Sequence, residues 1–119
     1  VARLAFRRVD QSVSRFRGLR VDRVLGFEVP VATSLCSRLL GLAYLDRDGA
    51  GMGLLIPHCR CVHTFGMRFD LDLCFFDAGG AVIAVRQALR PRRVAFCGGA
   101  AAVLEVPATQ GGEFSALAS

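Results

Sequence analysis

The second half of this chain is interrupted so often that no long element fits in it. From Met52 onward, five runs rich in apolar residues cover Met52–Ile56, Arg60–Phe65, Leu71–Phe76, Ala81–Leu89 and Ala100–Val106. Pro57, the tetrapeptide Asp77-Ala-Gly-Gly80, Pro91, the pair Gly98-Gly99 and Pro107 separate or end them. Proline removes a backbone donor and fixes φ, while glycine supplies the positive φ that tight hairpins need. Runs this short, bounded in this way, read as strands joined by turns.

The first half adds one strand and one helix. Leu25, Phe27, Val29 and Val31 alternate with Gly26, Glu28, Pro30 and Ala32, a period of two that predicts a half-buried strand. Pro30 confines it to an edge or a bulge. Thr33 or Ser34 can cap a following helix, and Leu35, Leu39 and Leu42 share one face, so residues 34–44 read as a single amphipathic helix. Asp46-Arg-Asp-Gly49 ends it in a turn. The expected architecture is α+β to mainly β: one compact domain of about six short, mostly antiparallel strands, partly barrel-like, with one early helix. Residues 1–23 read as an arginine-rich leader, 24–108 as the β-rich domain and 109–119 as a tail.

Length and charge narrow the function classes. A chain of 119 residues with 53% hydrophobic content is too apolar for disorder and too short for a repeat array. The net charge is +5, carried by 15 arginines and no lysine. Asparagine is also absent and isoleucine occurs only at positions 56 and 83, which is the codon bias of a GC-rich genome. Seven arginines fall in the first 23 residues and Arg90, Arg92 and Arg93 form a second cluster. Asp10, Asp22 and Glu28 dilute the first, and no helix-turn-helix, zinc-finger or RNA-recognition signature accompanies either. Nucleic-acid binding therefore ranks as a third reading. The longest charge-free stretches, Gly49–Cys59 and Val94–Leu104, have 11 residues each, too few to span a membrane. With no apolar core of signal-peptide length near the start, a cytoplasmic location is expected.

Chemistry-bearing residues concentrate in Pro57-His-Cys-Arg-Cys-Val-His63. On a strand Cys59, Cys61 and His63 share a face, but the 59–63 span of about 13 Å is too long for one tetrahedral ion, and the spacing fits no structural zinc pattern. Five cysteines argue against a closed disulfide framework and for reduced, structural thiols. No metal or cofactor is expected. Cys61 with His63 is the nucleophilic version of the same cluster. Asp70, Asp72 and Glu105 interrupt apolar strands, and acids there must reach solvent, meet an arginine such as Arg38, or line a site. No phosphate loop, nucleophile elbow or HExxH motif occurs.

Six motifs occur in order: Arg38-Leu-Leu-Gly41-Leu42, Gly53-Leu-Leu-x-Pro57, His63-Thr-Phe-x-Met67-Arg68, Asp72-Leu-Cys-Phe-Phe-Asp77, Gly80-x-Val82 and Val103-Leu-Glu105-Val-Pro-Ala108. Over residues 24–108 the chain thereby resembles the bacterial and archaeal family called domain of unknown function 192. The resemblance implies a compact β-rich domain with one early helix, and it carries no biochemical activity across. Many members have Phe-Trp-Met-Lys-Asn-Thr where this chain has His63–Arg68, and none of the five cysteines matches a family position, Cys74 standing within a motif without being part of its pattern. Arg38, His63, Thr64, Met67, Asp72 and Glu105 do, and so many polar types are more than packing needs. They are the expected ligand-binding set, with an Arg38–Glu105 ion pair as the structural alternative. The leading expectation is a non-enzymatic module that binds a partner protein or a small molecule around His63–Asp72. The competing one is a hydrolase or metal-dependent enzyme using His63 with Asp72, or Cys59 and Cys61.

Overall fold

The computed structural model describes residues 14–108; the expectations for residues 1–13 and for the tail from 109 lie outside them. Among the described residues, eight short strands form three antiparallel sheets, with two short α-helices and a single 3-10 turn at Ser14–Phe16. The central sheet has the order β3 (Leu54–Pro57), β8 (Ala102–Pro107), β5 (Leu71–Phe76) and β6 (Val82–Leu89). Two ribbons flank it: β1 (Val21–Val24) with β2 (Phe27–Pro30), and β4 (Cys61–His63) with β7 (Val94–Phe96). The expectation of about six strands is too low, and the sheets do not close into a barrel.

The two extra strands lie where polarity or brevity hides the signal. β1 sits inside the arginine-rich leader, where Arg20 and Arg23 pair with Asp22 and Glu28. Phe16, just ahead of it, is buried at 1% exposure, so the fold starts before residue 24. β7 is only three residues long and shows solvent two of them.

Helix α1 spans Leu35–Leu40 and is shorter than the expected 34–44. Ser34 caps it in a reciprocal box: its Oγ accepts from the Ser37 N–H at 3.1 Å, and the Ser37 Oγ accepts from the Ser34 N–H at 3.2 Å. Gly41, at φ +52°, stops it early. Asp46–Gly49, expected as a turn, caps and opens the one-turn helix α2 (Arg47–Ala50). Asp77–Gly80 is the expected hairpin turn, its Asp77 Oδ1 accepting the N–H groups of Gly79 and Ala81 at 2.9 Å.

Both faces of the central sheet are covered. One carries Leu54, Ile56, Leu71, Leu73, Phe75 and Val103 into the main core with Phe16, Leu42, Val62 and Met67. The other packs Cys74, Phe76, Leu104 and Val106 against Phe27 and Val29 of the β1–β2 ribbon. The register pairs Leu54 and Leu73 with Glu105, and Asp72 with Val106. Side chains alternate along a strand. Glu105 therefore faces the main core, and Asp72 faces the opposite side. No helix among the described residues is long and apolar enough to cross a membrane.

Candidate functional site

Where α1 ends above the central sheet, a small cavity of about 50 Å³ opens to solvent. Four chain segments build it. Arg38, Leu40 and Gly41 come from α1 and its cap, Ile56 and Cys59 from β3 and the loop after it, Cys61, Val62 and His63 from β4, and Glu105 from β8. Of the six expected site residues it gathers three: Arg38, His63 and Glu105.

Glu105 is 4% exposed. The backbone of Leu42 hydrogen-bonds its carboxyl, and its Oε1 has no partner. Burial pushes the group up to about 7, with the Leu42 bond acting the other way. A methyl on Gly41, already at φ +52°, would stand 3.0 Å from Oε1, close enough that the carboxylate would have to give way. Arg15 holds that turn in place from the Ser14–Phe16 segment, donating to the carbonyls of Gly41 at 2.9 Å and Ala43 at 2.8 Å.

The expected Arg38–Glu105 ion pair does not form. The Arg38 guanidinium instead donates to the Pro57 carbonyl at 2.5 Å and the His58 carbonyl at 3.3 Å. These bonds fix it at the rim and leave three of its five N–H groups outside those two contacts. Arg68, the other arginine on a family motif, does meet a carboxylate, Asp46 at 2.9 Å on the surface.

Cys59 follows His58, which adopts φ +54° and turns the chain between β3 and β4. Its Sγ donates to the Cys61 carbonyl at 3.3 Å, and burial raises its pKa, so it stays a thiol at neutral pH. On β4 the Cys61 and His63 side chains face outward on either side of buried Val62. The His63 Nδ1 accepts the Phe65 N–H at 3.3 Å, which leaves Nε2 to carry the proton of the neutral ring. Among the described residues, no group of three or more His, Cys, Asp or Glu is placed to hold a metal ion. The four described cysteines are free.

The other three expected residues are engaged elsewhere. Asp72 serves a bulge: β6 carries an extra residue between Arg86 and Leu89, where Ala88 adopts φ +52°. The N–H of Ala88 leaves the ladder and is captured by the Asp72 Oδ1 at 2.8 Å. Asp72 thus lies across the sheet from His63 and Glu105, and the two halves of the expected His63–Asp72 patch do not share a cavity. Met67 is buried in the main core. Thr64 is buried, with its Oγ1 donating to the Arg90 carbonyl at 2.7 Å and accepting the Arg93 N–H at 2.8 Å. Thr64→Val would orphan both groups, and a loss of about 1–3 kcal/mol is expected in urea denaturation.

Beside the cavity is a feature that the sequence did not signal. The β4–β7 register sets Cys61 opposite Phe96 and His63 opposite Val94. Phe96, Val94 and neighbouring Phe65 are 63%, 62% and 52% exposed. An apolar ribbon thereby continues outward from the two polar residues of the cavity wall. Only the alternation Val94-Ala-Phe96 could have hinted at it, and three residues are too few to read.

Solved structures share this fold. One is from Sinorhizobium meliloti 1021 and is described as a "putative transcription regulator"; it is 20% identical, with a TM-score of 0.64 over 77% of this chain and 74% of that one. Another, a protein of unknown function from Novosphingobium aromaticivorans DSM 12444, is 17% identical, with a TM-score of 0.62 over 91% of each chain. No curated protein matches the chain. The family model described as "Uncharacterized ACR" matches residues 15–116, starting nine residues before the expected 24–108, and the chain belongs to that family, domain of unknown function 192.

Proposed function

We propose that this chain is a non-enzymatic binding module whose ligand enters the cavity at the end of α1. Glu105 forms the floor, and Arg38 and His63 stand on the wall. The observation that carries this reading is the unpartnered Oε1 of Glu105, buried at the bottom of a cavity open to solvent. An unsatisfied buried acceptor costs about 1–3 kcal/mol, and a ligand donor reaching it would recover much of that. The volume admits one small functional group and not a whole metabolite. The exposed ribbon of Phe65, Val94 and Phe96 offers apolar contact for whatever carries that group, a larger molecule or a protein segment.

The chemistry of the wall supports binding over catalysis. Cys59 is held as a thiol by burial, and the His63 nitrogen that could orient a base is taken by the Phe65 N–H. Asp72, the partner a His63-based hydrolase would use, is bonded to Ala88 on the far side of the sheet. Thr64, Met67 and Asp72 are assigned to supporting the fold around the site. The description of the Sinorhizobium protein as a regulator touches the nucleic-acid reading, but Arg20 and Arg23 already face Asp22 and Glu28.

The test is an amide NMR titration with a panel of small ammonium ions, carboxylates, carboxamides and amino acids. Shifts are expected to cluster on Gly41, Leu42, Cys59, Cys61 and His63 and to be lost in Glu105→Gln. A panel that leaves those five amides unmoved at tens of millimolar overturns the reading.

A further inference from the structure

We propose that the cavity recognises a small amino-acid zwitterion, its ammonium set against the Glu105 carboxylate and its carboxylate against the Arg38 guanidinium. This rests on the binding reading above and names its ligand class. A floor of one sign and a rim of the other line one cavity, yet the two groups do not neutralise each other. The Glu105 Oε1 is buried without a partner, and none of the ion pairs among the described residues involves Glu105. Arg38 is tethered through two N–H groups to the Pro57 and His58 carbonyls, which orients the remaining donors without using them. A bare ammonium would satisfy the floor and meet repulsion from the rim. A bare carboxylate would do the reverse. A zwitterion satisfies both, and about 50 Å³ suits its ammonium end.

Few groups face Glu105 from the elements packed against it. On α1 and its cap these are Arg38 and the backbone of Gly41 and Leu42, with Arg15 directed at the Gly41 and Ala43 carbonyls. Cys59 before β4, a thiol, and Cys61 and His63 on it complete the wall. The flanking register partners, Leu54 on β3 and Leu73 on β5, are apolar. On α2, which also packs on β8, Arg47 turns to the Ala108 carbonyl and Asp48 is exposed. A ligand ammonium demands the ionised carboxylate, so binding displaces a proton. With Glu105 at about 7, the ionised fraction rises about ten-fold between pH 6 and pH 8.

Glycine, β-alanine and 4-aminobutyrate serve as a ruler of charge separation, with methylammonium and acetate as the two halves, all followed at the Gly41 and Leu42 amides. At least one amino acid is expected to bind ten-fold or more tightly than either half, with affinity about ten-fold higher at pH 8 than at pH 6. Arg38→Gln is expected to bring amino acid and methylammonium to equal affinity. Glu105→Gln, its fold checked by thermal melting, is expected to abolish amino-acid binding at both pH values, while His63→Gln retains the binding and its pH dependence. Methylammonium binding as tightly as every amino acid, or a pH dependence that vanishes in His63→Gln, overturns the proposal. If other panel members shift the cavity amides and amino acids do not, the zwitterion falls and the binding reading stands. If nothing does, both fall.

Discussion

Gly53→Ala is expected to destabilise the protein by about 4 kcal/mol, a large share of the roughly 5–15 kcal/mol that holds a domain of this size. Gly53 adopts φ +123°, which L side chains rarely enter, and a Cβ there would stand 2.2 Å from the backbone oxygen of Glu105. No rotamer relieves that clash, because the backbone fixes the Cβ and the oxygen it meets is main chain. The residue immediately precedes Leu54, which pairs with Glu105 in the β3–β8 ladder, so an added methyl pries apart the two strands beneath the cavity. Gly66→Ala is the control. Its φ is +82° and its Cβ would meet only the ring of Tyr44 at 2.8 Å, an exposed side chain free to swing away. About 1–2 kcal/mol is expected there, from backbone strain alone. Urea denaturation compares the two; equal losses would mean that the close approach of Gly53 to β8 does not constrain the fold.

That contrast shows what a sequence of this kind carries. β5 is legible to the residue, because six apolar-rich positions run into an Asp77–Gly80 turn whose chemistry is local. α1 is legible at its start for the same reason: Ser34 and Ser37 cap each other within three residues. Its end is not, since Leu42 continues the helical period and only the conformation of Gly41 breaks it. β1 and β7 are held by pairing partners rather than by propensity, so an arginine-rich segment and a three-residue run give no local sign of them.

The site follows the same division. That Glu105 must reach solvent, meet an arginine or line a cavity follows from placing an acid in an apolar strand. Which outcome holds depends on residues about 40 to 70 positions away, and no spacing rule reaches that far. Asp72 presents the same pattern in sequence and ends on the other face, satisfied by a bulge in β6 that the run Ala81–Leu89 does not announce. Two acids with one signature thus have different fates, decided by a register difference of a single residue.

The stability of the protein is expected to fall by about 3 kcal/mol between pH 4.5 and pH 7 on account of Glu105 alone. The sign follows from which state releases its proton first. In the unfolded chain the carboxyl ionises near its ordinary 4.5, while in the fold burial holds the proton to about 7. Through that interval the folded state binds more protons than the unfolded one, so raising the pH favours unfolding, and above 7 this contribution levels off. Glu105→Gln has no proton to lose and keeps an acceptor for the Leu42 N–H. It is expected to melt higher than the wild type at pH 8 and no higher at pH 4.5. A wild type that tracks the variant across this range would mean that the carboxylate is not paying for its burial. The same cost is what a ligand can offset. An amino acid that satisfies the ionised carboxylate is expected to raise the wild-type melting temperature at pH 8 more than at pH 5.5, since only a group that binds the folded state shifts the equilibrium. It is expected to leave Glu105→Gln unmoved at both, so stability and recognition would be read from one residue in one set of melts.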